Sequence, residues 1–390
     1  MPSESEALTR RKRIDPKLKA LGWVVVPYID GMDVSQLSNH AVEEYLTEKN
    51  ERADYALFVN GVLLGIIEAK KLAVGAQNVL EQARRYSRGA TRDGAGNWNG
   101  YRVPFLYSSN GETHWFIDVR DDKATSRQIM HLHPPSALED FIQCERKDAF
   151  NWFLDKPIED IAKLRPYQQR AIQSAETALL SGKRTMLLAM ATGTGKTYTT
   201  TAQIYRLLES RYAKRILFLV DRKALAAQAV REFSAFNTPR GNKFDQEYEV
   251  YSQRFQREDF GEDEPFNPKV LPEGYLTNPN GTQSFVYVCT IQRMAINLFG
   301  RALAFGQTEG EVETNDDADQ LNIPVHAFDI IIADECHRGY TAQDDAIWQS
   351  TLQHFDAIKI GLTATPAKHT VAVFGEPVFR YGIQEAIRDG

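Results

Sequence analysis

The sequence predicts an α/β protein made of two units in series, the second built on a parallel sheet. In the second half, short apolar strands alternate with helical segments, as in a doubly wound sheet. In the first half, two apolar strands flank a two-residue turn, and a helical segment and further strands follow. A length of 390 residues is long for one domain, so we place the units at residues 1–154 and 155–390.

The front unit is predicted to contain a β-hairpin. Residues 55–59 and 62–67 are apolar, and Asn60-Gly61 between them readily accepts positive φ. The other elements expected here are helices over residues 14–21 and 78–86 and strands over residues 23–27, 103–108 and 113–119.

The strands expected in the second unit are short apolar runs bounded by turn residues. They are residues 185–189, 215–220, 285–289, 330–333 and 358–362. Residues 236–282 and 300–324 are rich in Gly, Pro, Asn and acidic residues, which predicts surface excursions between the strands.

Composition restricts the class of protein. Hydrophobic residues make up 43% and charged residues 25% of the chain, and no run approaches the roughly 18 apolar residues of a membrane span. Residues 1–13 lack the apolar run of a secretory signal, and the three cysteines lack metal-ligand spacing. We therefore expect a cytoplasmic protein with no membrane role. The net charge of -6 means that nucleic acid would be bound by local basic patches.

A phosphate-binding loop is predicted directly after the first strand of the second unit. Gly193 and Gly195 allow a sharp turn whose N–H groups face the phosphates, and the following helix adds its positive end. Lys196 is expected to reach the β- and γ-phosphates of ATP, and Thr197 to bind Mg²⁺. The strict loop pattern requires Gly at position 190, which is Met190 here. The residues expected to bind nucleotide in this loop are Thr192, Gly193, Thr194, Gly195, Lys196 and Thr197.

Two acidic residues follow a later apolar strand. Asp334 is expected to complete the Mg²⁺ shell, and Glu335 to act as the base for the attacking water. Each motif alone also fits an ordinary loop or a solvated turn, but their joint order at strand ends favours an ATP site.

The front unit carries a second cluster. Glu68 and Lys70 project from the same face of one hairpin strand, and Asp54 opens the paired strand. Asp54 and Glu68 are expected to hold one or two Mg²⁺ ions, with the Ala69 carbonyl as a further ligand and Lys70 positioning water or stabilising charge. The pattern resembles the PD-(D/E)xK nucleases, although Ala53 stands where that name has proline.

A helix after this cluster places Gln82 and Tyr86 on one face, which resembles the Q-x-x-x-Y motif that accompanies this nuclease core. The same segment has a basic edge suited to a DNA backbone, although an exposed amphipathic helix is the plainer interpretation. Its DNA-contact candidates are Arg84, Arg85 and Arg88. Glu6 is a further candidate metal ligand.

Residues 164–366 resemble superfamily 2 helicases and translocases. Residues 164–168 resemble the Q motif, which implies that Gln168 reads adenine, with Gln169 as the rival, and that Tyr167 stacks on the base or on a neighbouring side chain. Residues 219–225 and 290–294 resemble DNA-contacting motifs, which makes phosphate-contact candidates of Arg222, Lys223 and Arg293. Resemblance to motif III and to the DEAH box (here Asp-Glu-Cys-His) implies a role in coupling nucleotide state to DNA for His337, Thr363 and Thr365.

A PD-(D/E)xK nuclease followed by a superfamily 2 motor resembles the restriction (HsdR) subunit of type I restriction enzymes. The resemblance covers essentially the whole chain, including residues 14–23 and 334–339. It implies a RecA-like motor domain, ATP-driven movement on double-stranded DNA, cleavage far from the recognition site, and methyltransferase and specificity subunits as partners.

Two alternatives remain: a translocase whose front unit is a non-catalytic DNA-binding module, and an assembly subunit that uses nucleotide only to fix its shape. Few residues follow Pro366, so we also expect a fragment that lacks the second RecA-like domain and hydrolyses ATP poorly alone. Residues 381–390 are interpreted as the lead into that missing domain.

Overall fold

The computed structural model describes residues 5–48, 51–71, 80–90, 93–144, 146–255, 268–302, 318–334 and 342–389. The chain forms two compact units, Met1–Gln143 and Cys144–Gly390. Within the described ranges, each unit is built on a seven-stranded sheet with helices. The predicted α/β class is therefore confirmed.

The sheet of the first unit has its strands in chain order. It is mixed: β1 and β2 pair in parallel, as do β4 and β5, and the other neighbours are antiparallel. The strands are β1 Val24–Pro27, β2 Asn39–Leu46, β3 Arg52–Val59, β4 Val62–Ala69, β5 Phe105–Ser109, β6 His114–Asp118 and β7 Arg127–Ile129.

Both faces of this sheet are covered. Alternate residues of β3 enter different cores, with Leu57 in one hydrophobic cluster and Ala56 and Phe58 in the other. The helices of the unit are α1 Glu6–Thr9, a π-helical turn Arg10–Ile14, α2 Asp15–Ala20, α3 Leu80–Gly89 and α4 Pro135–Gln143. The strand pair β3 and β4 thus has packing on both faces, which makes it a rigid base for side chains at its ends.

The hairpin formed by β3 and β4 is confirmed. Asn60 and Gly61 both have positive φ, 51° and 78°, as a tight turn between twisted strands requires. A Cβ on Gly61 would lie 3.0 Å from the Ser35 carbonyl oxygen, so glycine is favoured there by close approach as well.

The second unit has a parallel sheet with strand order β10-β11-β9-β12-β13-β8-β14. All neighbouring strands pair in parallel. The strands are β8 Thr185–Met190, β9 Arg215–Val220, β10 Glu249–Ser252, β11 Phe285–Thr290, β12 Ile330–Asp334, β13 Ile358–Thr363 and β14 Pro377–Tyr381. Because the strands are parallel, their carboxyl ends lie along one edge, where ligand sites form in such sheets.

Helices connect these strands. They are α5 Arg146–Asp155, α6 Pro166–Leu180, α7 Lys196–Glu209, α8 Lys223–Ala235, α9 Phe244–Glu247, α10 Glu273–Thr277, α11 Ile291–Phe299, α12 Ala342–His354, α13 Lys368–Phe374 and α14 Ile383–Asp389. The apolar faces of these helices and the buried strands form hydrophobic clusters on the sheet.

The division between the units lies at 143/144, earlier than the boundary at 154/155 that we placed from the sequence. Helix α5 belongs to the second unit because Ala149 and Phe153 pack into that unit's core. Charged residues along α5 concealed this apolar face in the sequence.

One expectation about irregular segments was wrong, and a second stays a prediction. Residues 236–282 do not only form a surface excursion, because β10 extends the sheet and Phe236 and Phe244 are buried in the core. In the segment over residues 381–390, Tyr381 ends β14 and is buried, and the interpretation of this segment as a lead into a further domain stays a prediction. In both segments, pairing with a distant strand decided the structure.

Candidate active site

Asp54, Glu68 and Lys70 lie close together at the ends of β3 and β4. Lys70 Nζ donates to Glu68 Oε1 at 2.8 Å, and Asp54 Oδ2 accepts from the Ala69 backbone N–H at 2.7 Å. The hairpin register brings the strand with Asp54 beside the strand with Glu68. The three side chains expected to converge are therefore adjacent.

Burial shapes the electrostatics of this cluster. Burial, together with the negative charge of Asp54, raises the pKa of Glu68 to about 7. Burial also raises the pKa of Asp54, although the Ala69 N–H and Arg10 oppose the shift. Burial alone would lower the pKa of Lys70, but its hydrogen bond with Glu68 and nearby negative charges raise it on balance. The buried Glu68 and the half-buried Asp54 thus lie together, and each has one cationic partner, Lys70 and Arg10 respectively.

The donor set fits a divalent cation. Glu68 Oε2 is buried and has no hydrogen-bond partner among the described residues. Ser108, the cross-strand neighbour of Glu68 on β5, is fully buried, and its hydroxyl lacks a partner there as well. Carboxylate and hydroxyl oxygens are the ligands that Mg²⁺ prefers. Within the described ranges, no group of three or more His, Cys, Asp or Glu side chains forms a ready metal cluster, so the fit rests on two carboxylates and neighbouring oxygens.

Three residues from other segments border this corner. Arg10 Nη1 donates to Asp54 Oδ1 at 2.9 Å and lies 2.5 Å from Glu44 Oε1. Glu6 Oε1 is 3.6 Å from Lys70 Nζ, so this candidate ligand does lie near the site. Sequence reasoning missed Arg10 and Glu44, because neither belongs to a motif and their proximity depends on the fold.

Helix α3 carries the accessory residues. Tyr86 is buried, and after burial itself the charge of Glu68 is the next cause that raises the tyrosine pKa, which indicates that the two are near. Gln82 is half-buried one turn earlier. Tyr86 therefore lies near the carboxylate cluster, and Gln82 is one turn away from it on the same helix.

The basic residues of α3 have protein partners. Arg84 pairs with Glu81 at 2.5 Å, and Arg85 with Glu51 at 3.0 Å. Arg88 is exposed, donates to the Tyr101 hydroxyl at 2.8 Å and lies over its ring. These surface pairs are weak in water, so they leave the arginines able to exchange partners for phosphate. Their role as DNA contacts stays a prediction.

The phosphate-binding loop lies between β8 and α7. Gly193 and Gly195 have φ of 81° and 76°, in the left-handed region that glycine readily adopts. Helix α7 begins at Lys196, which is buried, and Thr197 is half-buried in its first turn. Thr192 is exposed at the start of the loop. The local geometry is that of an anion site at a helix N-terminus.

The Q-motif residues brace this loop. Tyr167 donates its hydroxyl to the Thr194 carbonyl at 2.9 Å, and Gln168 Nε2 donates to the same carbonyl at 3.0 Å. Tyr167 stacks on Tyr381 with ring centroids 3.9 Å apart. Of the two roles that we left open for Tyr167, the structure has stacking on a neighbouring side chain. The rival Gln169 donates to the Leu164 carbonyl at 3.4 Å.

The other predicted nucleotide residues lie at strand ends along the same edge. Asp334 ends β12 and is buried, and Thr363 ends the neighbouring strand β13. The Thr363 hydroxyl accepts from the Thr365 N–H at 3.2 Å. Glu335 and His337 lie outside the described residues. Asp334 is thus on the expected edge, and the base and coupling roles of its successors stay predictions.

The predicted DNA-contact residues of the second unit lie at helix starts. Arg222 is exposed, caps α8 and pairs with Asp221 at 3.3 Å. Lys223 is the first residue of α8, and Arg293 lies in the first turn of α11, where its N–H is capped by Thr290 at 3.2 Å. Both helices follow strands at their carboxyl ends, as we expected.

Within the part of the chain that the structure describes, no helix has the length and apolarity needed to cross a membrane.

Two curated relatives match most of the chain. The endonuclease subunit of the type I restriction enzyme EcoKI from Escherichia coli (strain K12) is 30% identical over 449 residues, which covers 100% of this chain and 35% of the relative. The endonuclease subunit of the type I restriction enzyme EcoAI from Escherichia coli is 30% identical over 362 residues, 87% of this chain and 36% of the relative. The chain spans about a third of the length of these relatives.

Among solved structures, the ATP-dependent type ISP restriction-modification enzyme LlaBIII bound to DNA aligns with 59% of this chain and 16% of that chain, at 21% identity and a TM-score of 0.39. That score is too low to bear on the assignment.

Family profiles match both units. Residues 24–142 match the second domain of the type I restriction enzyme EcoKI endonuclease subunit. Residues 161–368 match the family described as type III restriction enzyme, res subunit. Because the second match spans more than half of the chain, the chain belongs to the restriction-enzyme res subunit family, and within it to the endonuclease (HsdR) subunits of type I restriction enzymes.

Proposed function

We propose that the first unit cuts double-stranded DNA in a Mg²⁺-dependent reaction and that the second unit binds ATP as part of a DNA translocase. The observation that carries the nuclease proposal is the cluster of Asp54, Glu68 and Lys70, in which Glu68 is buried and one of its oxygens lacks a partner among the described residues. Such an oxygen is costly to bury unless a cation binds it.

The residues divide the work of cleavage. Asp54 and Glu68 hold the divalent ion, which supplies Lewis-acid activation of water and neutralises charge on the scissile phosphate. Lys70 keeps its proton beside Glu68 and stabilises the negative charge that grows on the phosphate. Tyr86 and Gln82 on α3 orient this cluster.

ATP binding rests on the loop between β8 and α7. Lys196 contacts the β- and γ-phosphates, and the loop N–H groups around Gly193 and Gly195 cradle them. Thr197 and Asp334 hold the Mg²⁺ that accompanies ATP, since both lie at the carboxyl edge of the sheet.

The proposed setting is a type I restriction complex in the cytoplasm. The curated relatives are endonuclease subunits, so we assign methyltransferase and specificity subunits as the partners of this chain and double-stranded DNA as its substrate. Arg88 and Arg222 are exposed cations on the two units that would contact the phosphate backbone.

A second candidate function is a translocase whose first unit binds DNA without cutting it. It is favoured by one observation: both carboxylate oxygens of Asp54 already accept hydrogen bonds, from Arg10 and from the Ala69 N–H. Metal binding that depends on Asp54 separates the two candidates.

The cleavage experiment uses supercoiled plasmid, Mg²⁺ or Mn²⁺, and the chain at high concentration. We expect nicking by the wild type and loss of nicking, by about a hundredfold or more, in Asp54→Ala and Lys70→Ala. Lys71→Ala is the matched control, because Lys71 is the exposed neighbour of Lys70. Nicking that survives Asp54→Ala, or metal binding indifferent to Asp54, would leave the translocase with an inert first unit.

A further inference from the structure

Arg10 places one guanidinium nitrogen between two carboxylates at the edge of the proposed metal site. Its Nη1 is 2.9 Å from Asp54 Oδ1 and 2.5 Å from Glu44 Oε1. The side chains of Arg10 and Asp54 are 15% and 21% exposed, so solvent screens their charge-assisted hydrogen bond less than it screens the contact with Glu44, which is 44% exposed. A nitrogen that bridges two carboxylate oxygens occupies the kind of position that a small cation prefers.

The backbone of β2 departs from regular geometry at the residue that holds Arg10. Glu43 pairs with Tyr55 and Tyr45 pairs with Ala53, so the register is continuous and Glu44 lies opposite Asp54 on β3. Glu44 has a φ of 53°, an unfavourable value for a residue with a side chain. Because Glu44 and Asp54 face each other on neighbouring strands, both carboxylates contact the same Arg10 nitrogen.

The segment that carries Arg10 packs into the hydrophobic core through the residues that follow Arg10. After Arg10, Ile14 and Leu18 are fully buried, and Lys17 Nζ donates to the Gly111 carbonyl at 2.5 Å. Before Arg10, α1 has four residues, of which Thr9 is buried and the apolar Leu8 is 38% exposed. Arg10 can therefore change its partner without disturbing the hydrophobic core.

We infer that Arg10 competes with the divalent cation for Asp54. Without the cation, Arg10 neutralises Asp54; when the cation binds, Arg10 leaves Asp54 and keeps Glu44 as its partner. The physical reason is that a guanidinium and a divalent cation repel each other at the same carboxylate. Arg10 thus sets the cation concentration at which the nuclease becomes loaded. The inference rests on the proposed nuclease function, because it needs a metal site at Asp54 and Glu68.

The test measures Mn²⁺ affinity of the 390-residue chain without nucleotide, by counting free Mn²⁺ with electron paramagnetic resonance. Removing a charge-assisted hydrogen bond to Asp54 should tighten Mn²⁺ binding about tenfold in Arg10→Ala. Arg13→Ala is the matched control, because it removes the same charge from the same segment but Arg13 pairs with exposed Glu112. Arg13→Ala should bind Mn²⁺ as the wild type does.

A second measurement separates local competition from loss of packing. Guanidinium chloride, below denaturing concentration, should weaken Mn²⁺ binding to Arg10→Ala back towards the wild-type value, whereas NaCl of equal ionic strength should not. Circular dichroism and thermal unfolding establish that the variants are folded.

The outcomes are distinct. Unchanged or weaker Mn²⁺ binding in Arg10→Ala overturns the inference, because Arg10 would then only orient Asp54. Failure of guanidinium to compete also overturns it. If Asp54→Ala leaves Mn²⁺ binding unchanged, the proposed nuclease site itself is wrong. If Asp54→Ala abolishes binding while Arg10→Ala changes nothing, the inference alone fails.

Discussion

Glu68 shows how burial of one carboxyl group changes its pKa and the stability of the fold. Its carboxyl group is 4% exposed beside Asp54, and its pKa is raised to about 7 from an ordinary value of 4.5. Between these values the folded chain binds a proton that the unfolded chain has lost, so the free energy of unfolding falls as pH rises. Above about pH 7, Glu68 is ionised in the folded chain, and its negative charge lies beside that of Asp54.

Glu68→Gln removes this pH dependence. We compare the free energy of unfolding of the variant with that of the wild type in the presence of a chelator. The advantage of the variant should grow by on the order of 2 kcal/mol as the pH is raised from 5 to 8. Urea unfolding of the first unit at the two pH values measures the difference. Glu112→Gln, which changes an exposed carboxylate, should show no such gain. A gain for Glu68→Gln that is equal at both pH values would contradict the expectation.

At the scale of elements, a hairpin with a local sequence signal could be predicted, and strands that depend on pairing with a distant strand could not. The hairpin of β3 and β4 was predictable because Asn60-Gly61 and two apolar runs are sufficient to specify it. The edge strands β10 and β14 were not, since Pro377 and Arg380 interrupt the apolar pattern of β14 and the pairing partner is distant in sequence. An edge strand needs less apolar character because one of its sides faces no other strand.

Strand β14 should matter to nucleotide binding through the stack of Tyr381 on Tyr167. Tyr381→Leu loses the aromatic stack and should destabilise the second unit by about 2 kcal/mol and weaken ATP binding, because Tyr167 holds the Thr194 carbonyl. Tyr381→Phe keeps the ring and loses only the hydrogen bond to Asp389, so it should remain close to wild type. Equal effects of the two variants on a fluorescent ATP analogue would show that the stack is not what supports the loop.

For the whole molecule, the central feature is that two units have separate hydrophobic cores, and each unit carries its own candidate site. A carboxylate corner lies in one and a phosphate loop in the other. Ligands that bind only the folded state raise stability by mass action, so each ligand should report on its own unit.

Calorimetric unfolding tests this separation. MgATP at about a hundred times its Kd should stabilise the second unit by about 2.7 kcal/mol and raise that transition by a few degrees. The shift should vanish in Lys196→Ala and persist in Lys183→Ala, where Lys183 is an exposed lysine before β8. A shift retained in Lys196→Ala would place the nucleotide elsewhere.

The sequence by itself determined the α/β class, the hairpin, the phosphate loop and the order of the motifs. These depend on turn residues, apolar periodicity and spacing along one element, which are local properties. Only the tertiary structure decided that helix α5 belongs to the second unit, that Tyr167 stacks on Tyr381, and that Arg10 and Glu44 meet at Asp54. Those contacts join residues that are far apart in the chain, so they follow from packing of the elements and carry no local signal.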